Sequence, residues 1–414
     1  MDELVVVNED NIDTINERLG KLYELFSLDP SYEDITIGNS NITIAYPDEP
    51  NYIDYSIGDF LTYTEDISSI TKVDNATVRS SRVVQTIING ASSYSPHLEF
   101  LGDELIEDEK YTVSIQSEPF LIGLIATKER IFDEDYGISP CTIYTALEIV
   151  YKDAESVLDR KSEIKLIKEI LFYLSHKYST PLEIGEFFEF ERSSPFDDFA
   201  DDYEDDESED VKVVKTPSKN LLGYTNLMDM YIEALSVGNK EICFLYYYKI
   251  IEHCSPIVSK MKAYEQLNRK LDLMPFNDRD YKYLDSIFEL TREYDISLRD
   301  SELAYTVLLE CIDIVQLYDF LPENLKKRLS KKYQYQNEAI NYKFDVVKLN
   351  QIKHGISSIL YATRNSIVHA KSNYIPTGDE CNNEDLDSLN IFISKLCYCL
   401  IAWNNRQPEM FRLK

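Results

Sequence analysis

Apolar and polar residues alternate in short runs over the first 195 positions, whereas beyond about residue 219 the apolar positions recur every three or four. The first pattern is that of half-buried strands and the second that of helices with one buried face. Leu4-Val5-Val6-Val7 opens the chain, and Asn11 to Leu28 predicts a helix. Asp34 to Ile37, a Gly38-Asn39 turn and Ile42 to Tyr46 read as a β-hairpin. Ala76-Thr77-Val78 with Val83-Val84, and Tyr111 to Ile115, are strand candidates, and the unbroken apolar run Phe120 to Ala126 reads as a buried strand. Helices are expected near 141–156 and 161–178, with Pro181 and the stretch to Glu191 closing the region.

The second half predicts helices at Leu221–Leu235, ended by Gly238-Asn239, and at Glu241–Arg269, with a break or kink at Pro256. Others are expected at Asp278–Tyr294, Ser301–Phe320, Glu323–Tyr333 after Pro322, Tyr342–His369 and Leu386–Trp403. The expected fold class is therefore an α+β N-terminal domain, 1–195, followed by an all-α helical bundle, 219–414. Residues 196–218 lie between them as a linker, because Asp197 to Asp210 carries ten acidic side chains, a density no packed structure tolerates. Two readings of that stretch stand: a solvating spacer, or an acidic strap that mimics RNA and covers a basic cleft, with Phe199 and Tyr203 stacking where bases would.

Charge sharpens the division. Residues 211–414 hold 27 basic and 26 acidic side chains, leaving 15 basic and 48 acidic ones in 1–210, so the formal net charge of −32 comes from the first half. That half repels nucleic acid at long range, and the near-neutral half can hold it through a local patch. The seven cysteines are scattered with no Cys-x-x-Cys, which points to a reducing cytosol rather than a disulfide framework or zinc ribbon. No signal peptide, myristoylation site or membrane span is expected; Ile391 to Trp403 is apolar but short and interrupted by Lys395. No metal or cofactor is expected, since His-Glu-x-x-His, Walker A and Gly-x-Gly-x-x-Gly are missing from the sequence.

The candidate chemistry lies in Arg364-Asn365-Ser366-Ile367-Val368-His369, which holds one of only five histidines. A histidine can take the proton of a ribose 2′-OH near neutral pH. An arginine can hold a phosphate in bidentate fashion, and an asparagine can orient either group. At about 100° per residue, His354, Ser358, Tyr361, Asn365 and His369 share one helix face, with Ile352, Ile356, Ile359, Thr363 and Ile367 on the adjacent buried one. Arg364 falls about 140° from His369, so the two converge only if the helix loosens or if two protomers pair. The densest basic cluster, Lys326, Lys327, Arg328, Lys331 and Lys332 with Tyr333 and Tyr335, is either an RNA-binding surface with stacking rings or a solvated helix end. Lys343, Lys348, Lys353 and Lys371 lie along the motif helix. His354 is either a further site residue or an exposed histidine; Glu252 is a weaker candidate; His97, His176 and His253 read as structural.

The spacing resembles the Arg-x4-6-His motif of HEPN-superfamily ribonucleases, in the variant with asparagine after the arginine. Phe244 to Glu252 is similar to the aromatic-rich second helix of that family, so the resemblance spans about 220–405. It implies a metal-independent endoribonuclease with Arg364, Asn365 and His369 catalytic; the basic cluster Lys326, Lys327, Arg328, Lys331 and Lys332, with Tyr361 and His354 of the motif helix, would then bind its substrate. It further implies RNA, tRNA included, as partner, a homodimer through the helical domain with a composite site, and a role as toxin or anti-phage defence effector. The acidic domain would answer a protein or phage-derived trigger. Two other readings remain: a non-catalytic HEPN-like dimerisation scaffold, and an acidic nucleic-acid mimic that binds a basic protein.

Overall fold

The computed structural model describes residues 5–28, 35–47, 52–89, 104–132, 139–188, 214–218, 221–272, 282, 285–289, 300–336, 338–369 and 375–413. The acidic stretch 197–210, His97, Lys371 and most of the helix expected at 278–294 lie outside them. The chain forms two compact units, Met1–Leu171 with Leu182–Leu221, and Phe172–Pro181 with Leu222–Lys414.

The first unit is built on a sheet in the order β10-β6-β7-β8-β5-β4-β3, with β9 (Glu183–Ile184) pairing β5. Its strands are β3 (Thr71–Lys72), β4 (Thr77–Arg79), β5 (Val83–Asn89), β6 (Glu104–Glu107), β7 (Tyr111–Gln116), β8 (Ala146–Tyr151) and β10 (Val214–Pro217). All pairings are antiparallel except β10 with β6. β5 is buried over six of its seven residues because both faces are covered. Val83 and Ile87 join a core with α1 (Ile12–Phe26), the β1–β2 pair (Asn41–Ile44, Ile53–Ser56), α2 (Ile57–Tyr63) and α3 (Phe120–Glu129). On the other face α4 (Arg160–Tyr178) is clamped by Glu163, fully buried, which takes ion pairs from Arg79 of β4 and Arg160.

Three expectations for this unit are corrected. Asn41 to Ile44 pairs with 53–56 and not with the 34–37 segment; Gly38, at φ +101°, turns the chain so that Gly38 and Asn39 bond to Val7 instead. Phe120 to Ala126 is helical. The helix is buried on every side, so its sequence shows no 3.6-residue period to tell it from a strand. Residues 146–151 form the strand β8 where a helix was expected. β10 also lies inside the segment expected as linker and pairs with β6 of the first unit.

α3 starts after Pro119 with no side-chain cap of its own. Gln85 of β5 supplies one from across the sheet: its Oε1 accepts from the Leu121 and Ile122 amides at 2.8 and 3.2 Å. Its Nε2 donates to Glu148 Oε2 at 2.6 Å, which fixes the orientation of the amide. Tyr63 and Gln116 donate to the other Glu148 oxygen, both at 3.2 Å. Burial raises the Glu148 carboxyl to about 7 despite these donors.

The second unit is helical: α5 (Asn226–Ser236), α6 (Lys240–Asp272), α7 (Asp300–Cys311), the single turn α8 (Ile314–Leu317), α9 (Glu323–Tyr333), α10 (Val346–Val368) and α11 (Leu386–Asn405). α6 packs on α5, α7 and α11, and α10 packs on α7 and α9. α11 buries Leu389, Ile393, Leu396 and Leu400, which stand at helical spacing in the sequence, and Phe392 beside them. Asn383–Asn405 meets the length and apolarity needed to cross a membrane, longer than the run 391–403 suggested, and it packs against α5 and α6 as a core helix. None of the seven cysteines is in a disulfide. α6 continues through Pro256. The unit also takes the end of α4: His176 Nδ1 shares a 2.8 Å hydrogen bond with the Tyr231 hydroxyl, and its ring stacks 3.8 Å from Tyr398. Burial depresses His176 to about 4, in keeping with the structural role expected for it.

Candidate active site on the last turn of α10

α10 begins at Asp345, whose side chain caps it by accepting from the Lys348 amide at 2.8 Å. Ile352, Ile356, Ile359 and Thr363 are buried, while His354 and His369 are exposed with Ser358, Tyr361 and Asn365 partly exposed. The face assignment made from spacing therefore holds, except that Ile367 is only partly covered. Gly355 is what lets α9 approach: a Cβ there would meet Leu329 Cδ2 at 2.5 Å and Tyr333 Cε2 at 2.8 Å.

The helix keeps its regular spacing to the end. The His369 amide donates to the Asn365 carbonyl at 2.9 Å, and His369 is the C-cap residue at φ −104°, ψ 16°. Arg364 Nη1 donates to Asn365 Oδ1 at 3.1 Å, and its Nη2 lies 3.5 Å from Glu252 Oε1 on α6. A guanidinium has five N–H donors in a planar fork, so these two contacts leave donors for a phosphate. Arg364 is 27% and Glu252 42% exposed at the side chain, so the group is reachable from solvent. Pro256 has no N–H, so the carbonyl of Glu252, four residues before it, lacks its helical donor at this same turn.

The other expected binding residues divide. Arg328 is bound within the fold, donating to the Glu380 and Gly378 carbonyls at 2.9 and 2.7 Å. Lys326 is held by the Asp319 carbonyl and Glu323 at 2.8 and 2.7 Å. Lys327, Lys331 and Lys332 are exposed, the last 3.6 Å from Asp379. Of the two expected stacking rings, Tyr335 is buried, with its hydroxyl 2.9 Å from that of Tyr318, and cannot meet a base; Tyr333 is half-buried against Gly355. Lys353 is buried and donates to the Leu309 and Ile312 carbonyls at 3.2 and 2.8 Å, capping the end of α7; burial lowers its pKa. Lys348 pairs with Glu338 at 2.6 Å. The His354 ring sits edge-on to Tyr305 at 5.1 Å.

Sequence reasoning underweighted Glu252. Its signal is the aromatic run ahead of it, which fixes the face of α6 that turns inward: Phe244, Tyr247, Tyr248 and Ile251 are buried, leaving Glu252 at the rim. Among the described residues no three His, Cys, Asp or Glu side chains group as metal ligands. Comparison with protein-family models, with curated proteins and with solved structures finds no match.

Proposed function

We propose that the protein is a metal-independent endoribonuclease of the HEPN type, acting in the cytoplasm as a defence or toxin effector. The observation that carries this reading is the Arg364–Asn365 pair, held by Glu252 at a solvent-reachable helix end, with His369 exposed one turn on. His369 acts as general base on the ribose 2′-OH, which attacks the adjacent phosphorus as the 5′-oxygen leaves. Arg364 stabilises the charge on the phosphoryl oxygens, and Asn365 positions it. The products are a 2′,3′-cyclic phosphate and a 5′-OH end, and DNA is not cut because it lacks the nucleophile.

α10 does not loosen before His369, which favours a homodimer in which motifs from two protomers face one cleft. Exposed apolar side chains of the helical unit, Val368, Ile375 and Ile391, suit such a contact. The first unit, compact in itself, restrains the nuclease until a protein or phage-derived trigger is met. A second reading, a non-catalytic dimerisation scaffold, draws on the same ion pair, since Glu252 also gives Arg364 a structural partner.

The test is incubation of the purified full chain, and of a fragment beginning near residue 160 that lacks the restraining unit and keeps the helical one, with total RNA and with tRNA in EDTA, alongside His369→Ala and Arg364→Ala. Discrete cuts with cyclic-phosphate ends, reduced at least about 100-fold in either variant, are expected. Cutting that survives both substitutions, or none by the wild-type chain and none by the unrestrained fragment, moves the weight to the scaffold.

A further inference from the structure

The second unit holds a cleft of about 360 Å³ lined by Val258, Met261, Lys262, Tyr264, Glu265 and Asn268 of α6, Glu310 of α7, Trp403 of α11 and Phe411. It does not belong to the Arg364 site. At about 100° per residue the lining positions of α6 centre on the side opposite Glu252, the residue that faces Arg364. Its volume lies at the small end of ligand pockets, enough for one small molecule or one side chain.

The lining chemistry selects by charge. Three rings contribute, and Tyr264 and Phe411 meet edge-on with centroids 5.4 Å apart. Aromatic faces carry negative charge and attract cations. Tyr264 already draws one from its own helix, with the Lys260 ammonium 5.8 Å from the ring centroid. Two carboxylates and one ammonium line the cleft, and Glu265 is held by Arg269 of its own helix, so Glu310 is the carboxylate left to the cleft. The ammonium, Lys262, is only 35% exposed and lies 3.3 Å from Glu310, so it is neutralised within the cleft and gives no surplus for a phosphate. A nucleotide is therefore disfavoured and an amine favoured. We infer that this cleft binds a small aliphatic ammonium ion, seated against Trp403 and Tyr264 and paired with Glu310 in place of Lys262.

This inference is independent of the ribonuclease reading. Trp403 is the chain's only tryptophan, so its fluorescence reports on the cleft alone. The experiment titrates the full chain with 1,4-diaminobutane, with tetramethylammonium and, as an anionic comparison, with AMP. A saturable change in Trp403 emission with the diamine and not with AMP is expected, weakened at least tenfold by Glu310→Gln. Lys262→Met, which frees Glu310 of its resident ammonium, should bind the diamine several-fold more tightly, a gain that an unfolded chain would not show. No saturable change with either amine, a response to AMP in their stead, or unchanged diamine affinity in both variants would overturn the inference.

Discussion

At the scale of single residues, burial decides what the ionisable groups do. Arg364 and Glu252 are both partly solvated, and such a pair contributes about 1 kcal/mol or less. Arg364→Ala should therefore leave the urea midpoint nearly unmoved, and a loss of RNA cleavage in that variant is chemical rather than a loss of fold. The carboxyls of Glu148 and Glu169 are different. Burial raises them to about 7 and about 8, so the folded chain binds their protons more tightly than the unfolded one. Their contribution is complete below the unfolded value near 4.5 and is lost as pH rises through 7 to 8. His176, depressed to about 4, works the other way: its contribution is complete above 6.5 and is lost as pH falls through 4. Urea melts of the first unit's signals between pH 5 and 8.5 should show falling stability, and Glu148→Gln should flatten part of that slope; a flat wild-type profile contradicts the assignment.

At the scale of elements, two helices depend on contacts far away in sequence. α3 is capped by Gln85, so Gln85→Ala leaves two buried amides without an acceptor and should cost about 1–3 kcal/mol by chemical denaturation. α10 depends on Gly355 for its contact with α9. Gly355→Ala forces Leu329 and Tyr333 aside, and an overpacked core of this kind costs about 1–3 kcal/mol. An unchanged midpoint in that variant would mean that the two helices approach less closely. The same scale shows why some elements were readable. α9 was expected at Glu323–Tyr333 and is found there, since Pro322 starts it and its apolar Leu325 and Leu329 share one face. β8 was misread because Ala146 to Tyr151 is buried on both faces but for Val150, and its alternation is erased.

At the scale of the whole molecule, the covalent and spatial divisions differ. The sequence placed the helix at 161–178 wholly in the first domain, yet Phe172 and His176 belong to the helical unit, packing on Tyr231 and Tyr398. Truncation at residue 210 therefore does not release an intact helical unit. Phe172 is 1% exposed, and Phe172→Ala should cost that unit about 3–5 kcal/mol, measured as a drop in the thermal midpoint. A fragment beginning near residue 160 should melt at higher temperature than one beginning at 222.

By itself the sequence determined the class of each half, the α9, α10 and α11 helices, and the face of α10 that carries His354, Asn365 and His369. Those follow from local periodicity and capping, which act over a few residues. Only tertiary structure decided that Phe120–Glu129 is a helix, that Glu252 meets Arg364, and that Arg328, Lys353 and Tyr335 are bound within the fold. These depend on partners tens to more than a hundred residues away, and a side chain's exposure is set by what packs over it, which no local pattern records.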